Sequence, residues 1–511
     1  MTANPYRAMR VAPVYRDLCC VAPAPEVAED MARQAARLAE EMGVGGFSVR
    51  VMAARPDERH IPPGFNDGTI YPPDYIAEVS AEMRVAPDSA RLARRVAPSP
   101  PRGEINVLVL LVDFDDNRFQ DADALRDTLQ TMLFSEGTLD TGSLNDFYRE
   151  VSGNKVWFQG VVAGPYRAPQ PYTFYTNNQS GTGPYPNNTP RLVEDLVALA
   201  DPDVDFAQFD PNGDGFVDGL IVVHAGPGAE AIADATRRRN AIWSHKWTTR
   251  TVQRRDSTNI YAYLTVPEES NIGVWAHELG HLIFGWPDLY DIDNSSEGIG
   301  NFCLMAGGSW NARGKRPAHP SAWCKAKQGW VSVHTPTRDG DITLQPVEVS
   351  PEVYRLWTRG QPGQEYFLIE NRQKIGFDDN LPDTGLAIYH IDDTQQDNSQ
   401  ERHYMVGLEQ ADGRDDLENG RNRGDDTDLW PEGATVTFDA NSTPNSNAYN
   451  GALTFVSVSN IVQSGLNISA TISVGQSQPP GEDGEGGAQP GTCLETLLSI
   501  VRALFGQGGG R

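Results

Sequence analysis

The sequence predicts an α+β fold followed by an all-β module, and three observations carry that prediction. Ile105 to Phe114 (INVLVLLVDF) is almost continuously apolar, the pattern of a strand buried on both faces. From there to about Val333, helical periodicity such as Arg191 to Ala200 mixes with short strands such as Gly219 to His224, which bounds an α+β domain at 103–335. After Thr337 the texture changes to short strands separated by turn residues. These are Ile342–Leu344, Val353–Thr358, Glu365–Glu370, Gly385–His390, Tyr404–Leu408, Thr435–Phe438, Leu453–Val458 and Ile468–Val474, an all-β module at 338–474.

The flanks differ from both. Residues 1–98 read as a leader or pro-region, with one helix opened by Pro25 and carrying Val27, Met31, Ala35, Leu38 and Met42 on a single face. Gly43, Gly45 and Gly46 end it. Arg91, Arg94 and Arg95 then precede a Pro-rich stretch that reads as a solvated linker and offers a processing site. Residues 475–492 have a Gly/Pro-rich linker composition. Residues 493–511 follow as an amphipathic helical tail, opened by a capping box of Thr492 and Glu495. The tail is suited to docking on a partner or a membrane, or to folding back on its own chain.

Composition narrows the function classes. The 511 residues carry 42 Lys plus Arg against 69 Asp plus Glu, a net charge of −27, which argues against a nucleic-acid binder that must displace counterions from phosphate. It suits a protein exposed to calcium. The longest apolar run is about eight residues where a bilayer needs about twenty, so no transmembrane segment is expected. Arg7, Arg10 and Arg16 have no apolar core behind them, so no secretory signal peptide is visible at the amino terminus. Five cysteines exclude a disulfide-built scaffold; Cys303 and Cys324 are the plausible internal pair, with two buried thiols as the alternative.

The chemistry concentrates in WAHELGHLIFGWPDLYD, residues 275–291. His277 and His281 are one helical turn apart and can both present a nitrogen to one zinc ion. Glu278 stands beside the ion rather than on it, placed to take a proton from an attacking water. Gly285 and Pro287 end the helix and turn the chain back, so Asp288 is the first carboxylate offered as a third ligand, with Asp291 as the alternative. Three protein ligands leave one position open, as a catalytic site requires. Met305, in the Gly-rich turn of IGNFCLMAGGSW, would give these ligands an apolar floor. A second motif, DPNGDGFVDG, sets Asp210, Asn212, Asp214, the Phe216 carbonyl and Asp218 at the spacing of a calcium loop, although Ile221 stands where the closing Glu of an EF-hand would be. The acidic stretch Ala411–Trp430 reads as a solvated loop that could also hold calcium. His224, His245, His319 and His390 read as core or supporting groups. Cys19 or Cys20 at the zinc of a latent form is the less favoured option, because an unperturbed thiol is a weak ligand.

The combination resembles the immune inhibitor A family of zinc metallopeptidases. The resemblance rests on HELGH followed by GWPDLYD, on LMAGGSWN, and on PAHPSAWCKAKQGWV (317–331). It extends to SLNDFYREVSGNKVWFQG (143–160), VDGLIVVHAGPGAE (217–230), AIWSHKW (241–247), EYFLIENRQKIGFD and GLAIYHID. It spans about 103–474 and implies a secreted endopeptidase with a zincin-like catalytic domain, often made as a zymogen with an N-terminal pro-region. One departure stands out. The family pattern places Gly three residues after the second His and Asp ten after the first, whereas Gly285 is four after His281 and Asp288 eleven after His277. An inserted residue in the turn is what leaves Asp288 and Asp291 both open. Two other classes are weighed against the peptidase: an inactive, calcium-stabilised adhesive protein retaining the fold, and a metal-dependent hydrolase of non-peptide bonds.

Overall fold

Residues Gly103–Asp113 form the strand on which the first layer is built, with Val107 to Val112 wholly buried. The computed structural model describes residues 18–41 and 100–475. In chain order the first sheet contains β1 (Cys19–Cys20), β2 (Gly103–Asp113), β3 (Val156–Arg167), β4 (Leu220–His224), β5 (His245–Arg255) and β6 (Thr258–Pro267). Its spatial order is β1-β5-β6-β4-β2-β3. β3, β2, β4 and β6 run parallel, which explains the continuous apolar character of β2 and β4. β5 returns antiparallel to β6 through Asp256 and Ser257, both at positive φ (48° and 69°), a two-residue hairpin loop whose twist matches the strands it joins.

The helices pack as their apolar stripes require. α1 (Pro25–Glu41) follows β1 directly. α2 (Ala122–Phe134) is capped by Asp121, whose side chain accepts from the Ala124 amide. α3 (Leu144–Ser152) opens on a reciprocal capping box between Ser143 and Asp146 and closes at Gly153 in the left-handed region. α4 (Thr189–Ala200) is capped by Asn188. α5 (Ile272–Phe284) is buried along its whole length and carries the candidate site. Among the described residues no helix is long and apolar enough to cross a membrane.

Beyond residue 331 the regular structure is dominated by strands: β7 (Ser332–His334), β8 (Gly340–Leu344), β9 (Glu352–Leu356), β10 (Glu365–Arg372), β11 (Gly385–Asp392), β12 (Val406–Leu408), β13 (Val456–Ser464) and β14 (Asn467–Val474). They form a five-stranded sheet, β12-β11-β10-β9-β7, and a three-stranded sheet, β13-β14-β8. Phe367, Ile369, Leu386 and Ile388 of the larger sheet share one apolar cluster with Leu344, Val458, Ile468 and Ile472 of the smaller. The other faces of β10 and β11 belong to the main core through Leu368, Tyr389 and Ile391, so one apolar interior continues from the first sheet into these strands.

One expected element differs. Thr435–Phe438 is not a strand but a pair of isolated bridges, Glu432 with Thr435 and Phe438 with Val458, because Pro431, Gly433 and the turn at Asp439 leave too few residues to pair. For Cys303 and Cys324 the second of the two alternatives holds: both are buried free thiols. The expected linker at 475–492 and tail helix at 493–511 lie outside the described residues apart from Gly475, as does the expected helix end at Met42 with the glycines after it.

Candidate active site

α5 ends where the sequence demands it. Gly285 adopts φ 63°, a conformation open to glycine, and the amide of Trp286 returns to the Gly280 carbonyl at 3.1 Å. That reversal lets the Trp286 carbonyl accept from His281 Nδ1 at 2.6 Å. His277 Nδ1 likewise meets the Leu304 carbonyl at 2.9 Å. A carbonyl only accepts, so each Nδ1 carries a proton, and a ring in its neutral form turns its Nε2 lone pair the other way.

Both Nε2 atoms point to one place. They stand 3.1 Å apart, and Asp288 Oδ1 lies 3.2 Å from His277 Nε2 and 3.0 Å from His281 Nε2. Despite those distances Asp288 Oδ1 makes no hydrogen bond, and neither oxygen of Glu278 has a partner. All four side chains are buried, with Glu278 wholly so. Isolated carboxylates in such a setting are costly, and a cation is what offsets them. The proton affinities carry the same message. Burial would raise Asp288, but His281 and His277 outweigh it and hold the acid at about 2. Burial by itself lowers His281, yet Asp288 and Cys19 draw it well above its ordinary range. Burial leaves His277 below its ordinary value and lifts Glu278 well above the carboxylate range. Asp288 and His281 draw positive charge between them, and with the Nε2 of His277 they make a nitrogen and oxygen donor set that fits a divalent ion of zinc type.

Met305 lies against α5 at Gly280. A Cβ built on Gly280 would come within 2.6 Å of Met305 Sδ, so the glycine between Glu278 and His281 is what lets this turn approach. The turn's Leu304 carbonyl orients His277, and the Met305 carbonyl accepts from the Leu289 amide at 2.8 Å, next to Asp288. Tyr148 from α3 donates to the Ala276 carbonyl at 2.6 Å.

The outer side is covered by residues 18–24. Cys19 and Cys20 pair antiparallel with Lys246 and His245 along the free edge of β5. The Val21 amide bonds the Ser244 carbonyl at 3.2 Å and the Ala24 amide that of Glu230 at 2.9 Å. Tyr290, Trp243 and Trp310 donate to the carbonyls of Cys20, Val21 and Ala22 at 2.7, 2.9 and 2.8 Å. Cys19 offers its sulfur to the site: ligand atoms of Cys19, His281 and Asp288 all lie within 4.8 Å of one another. Burial raises the Cys19 thiol, but the charge and hydrogen bond of His281 outweigh it and leave the thiol below its usual value, so the sequence argument from an unperturbed thiol does not hold here.

The other candidates fall elsewhere. Asp291 is not beside the histidines; it clusters with Asp293 and Glu401, accepts from Ser295 Oγ at 2.8 Å and Ser296 Oγ at 3.0 Å, and is raised to about 6 chiefly by burial. The loop at 210–218 closes on itself. Asp210 accepts from the Asp214 and Gly215 amides, Asp214 from the Phe216 amide, and Asn212 donates to Asp218 at 2.8 Å. Among the described residues its carboxylates do not form a cluster with ligand atoms within 4.8 Å, whereas Asp412, Asp425 and Asp428 of the acidic stretch do. His224 and His245 are buried in the first layer, His245 bonded to Thr189 Oγ1 at 2.9 Å. His319 pairs with Glu150 and His390 with Glu365 and Glu409. The orienting carbonyls of Leu304 and Trp286 carry no sequence signature and were not legible beforehand.

Residues 102–335 match the family described as immune inhibitor A peptidase M6, catalytic domain. A curated relative, Immune inhibitor A of Bacillus thuringiensis subsp. alesti, is 30% identical over 252 residues, covering 40% of this chain. The match spans 36% of that relative, little more than a third of its length. Through residues 102–335, the chain is similar to the immune inhibitor A family of M6 peptidases.

Proposed function

We propose that the chain is a zinc-dependent endopeptidase in which His277, His281 and Asp288 hold the ion and Glu278 is the general base. The observation that carries this reading is the meeting of two Nε2 atoms and Asp288 Oδ1 at 3.0 to 3.2 Å beside a buried carboxylate that has no partner. Zinc in that position supplies a lowered pKa to water and polarises a carbonyl. Leu304 and Trp286 fix the imidazole tautomers, and Met305 under Gly280 fixes the height of the helix. Glu278 takes the proton of the attacking water and delivers it to the leaving amine. The edge of β5 at Ser244–Lys246 already bonds an extended segment, and a peptide substrate's backbone would use the same groups.

The same reading assigns a zincin-like fold to 103–335, a β-rich C-terminal domain sharing its apolar interior to 338–474, a pro-region to 1–98, and an extracellular setting with protein or peptide substrates. The match of residues 102–335 to a peptidase catalytic domain favours it over an inactive adhesive protein. Calcium at 210–218 would require the Asn212–Asp218 hydrogen bond to open and is not part of the proposal. The test is hydrolysis of casein by native and Glu278→Gln forms, before and after limited trypsin treatment. Glu278→Gln is expected to keep its zinc and lose about 10²- to 10⁴-fold in rate. An undiminished rate would overturn the assignment.

A further inference from the structure

The candidate catalytic groups are sealed by a segment of the same chain. Glu278 and His277 have no solvent exposure, and His281 only 2%. An endopeptidase must admit both a peptide and water to these atoms, so the arrangement cannot turn over as it stands. The covering piece is short, yet it is held from several sides: by the β5 edge, by donors from Tyr290, Trp243 and Trp310, and by Ala24, Val27 and Met31 packed with Trp310.

Within that piece one side chain meets the site in a particular way. Both cysteines pair with β5, but among the described residues it is the Cys19 sulfur that joins a cluster of candidate ligand atoms; the Cys20 thiol, buried as well, does not join it. Cys19 approaches on the side of His281 and Asp288, and Asp288 Oδ1 is a buried atom with no hydrogen-bond partner. Two histidines and one carboxylate leave one position of a tetrahedral ion open, and sulfur is a preferred zinc donor. We infer that Cys19 is the fourth metal ligand of a latent form, and that residues 18–24 act as an intramolecular stopper held on the metal by that sulfur.

This rests on the metal site proposed above and adds its regulation. Opening exchanges one ligand for another. The metal–sulfur bond breaks, solvent takes the vacated position, and the sulfur takes up a proton from solvent with no electron transferred. Whatever withdraws residues 18–24, or modifies the Cys19 thiol once the stopper loosens, would switch the enzyme on.

The experiment is zinc X-ray absorption on the full chain, with metal content measured on the same samples. One sulfur at about 2.3 Å is expected in the native protein beside nitrogen and oxygen neighbours at about 2.0–2.2 Å. Cys19→Ser should keep its zinc, lose the sulfur shell and show higher activity before any proteolysis. Cys20→Ser should keep the sulfur shell. Zinc bound at one per chain with no sulfur neighbour in the native protein would overturn this inference while leaving the metal site intact. No bound metal would overturn the metal site itself. If Cys19→Ser fails to fold, the native and Cys20→Ser spectra still decide: sulfur present in both supports the inference, and loss on Cys20→Ser assigns the ligand to the wrong residue.

Discussion

Replacing Gly280 by alanine tests how the turn under α5 supports the ligands. The added Cβ would meet Met305 Sδ at 2.6 Å, Trp286 Cε3 at 3.0 Å and Met305 Cε at 3.2 Å, where ordinary contact begins at 3.4 Å. The sulfur must therefore retreat by about 0.8 Å or the helix must lift. Trp286 is 2% exposed and packs against Phe284 and Trp330, so it has nowhere to go. Overpacking of this kind costs about 1–3 kcal/mol, and the gain in helix propensity from Gly to Ala offsets about 1 kcal/mol of it. The fold should lose no more than about 2 kcal/mol. Metal binding should suffer more. The same displacement moves the Leu304 carbonyl away from His277 Nδ1 and the Trp286 carbonyl away from His281 Nδ1. Loss of such orienting partners costs about 10- to 100-fold in metal affinity. Urea unfolding and competition with a zinc chelator measure the two effects separately. A Gly280→Ala protein with native stability and native affinity would refute the claim that Met305 sets the height of the ligand helix.

Three further outcomes follow from other parts of the molecule. Burial lowers His224 and His245 from 6.5 to about 4. Below pH 6.5 the unfolded chain takes up protons that the folded chain refuses, so each histidine removes stability as the pH falls from about 6.5 toward 4. His245→Gln should accordingly shrink its own stability deficit by about 1 kcal/mol between pH 7 and 5.5; a deficit independent of pH in urea titrations would contradict the assignment. Arg372 is fully buried, bonds Asp378 at 2.8 and 2.9 Å, and reaches the Phe302 carbonyl at 2.9 Å. Arg372→Met, which strands those acids, should cost about 3–5 kcal/mol, and an unchanged urea midpoint would show the pair to be dispensable. Removing a metal present at 1,000 times its Kd should lower folding stability by about 4.1 kcal/mol. A chelator that leaves the thermal midpoint of the native protein unmoved would count against a metal that binds only the folded chain.

Much of the site was legible because its spacing is a local property. His277, Glu278 and His281 lie on one helical turn, and Gly285 ends that helix as its position implied. β2 and β4 announced themselves because parallel strands are apolar on both faces. The hairpin β5–β6 went unread because Asp256–Ser257 is a weaker turn signal than Asn-Gly, and because Thr249–Arg255 is largely polar toward solvent. Sequence order put Asp288 ahead of Asp291 but the inserted residue left both open; position in space separates them, one beside the histidines and the other with Asp293 and Glu401. The surroundings of Cys19 were not legible for a related reason. A thiol's worth as a ligand depends on neighbours, and His281 lies more than 250 residues away in the chain.

Metal content of the purified chain, measured together with that of Asp288→Ala and Asp291→Ala, tests the central claim most directly. One zinc per chain in the native and Asp291→Ala proteins, with its loss from Asp288→Ala, is the predicted result. Zinc retained at full stoichiometry in Asp288→Ala but lost from Asp291→Ala, or absent from all three, would contradict it.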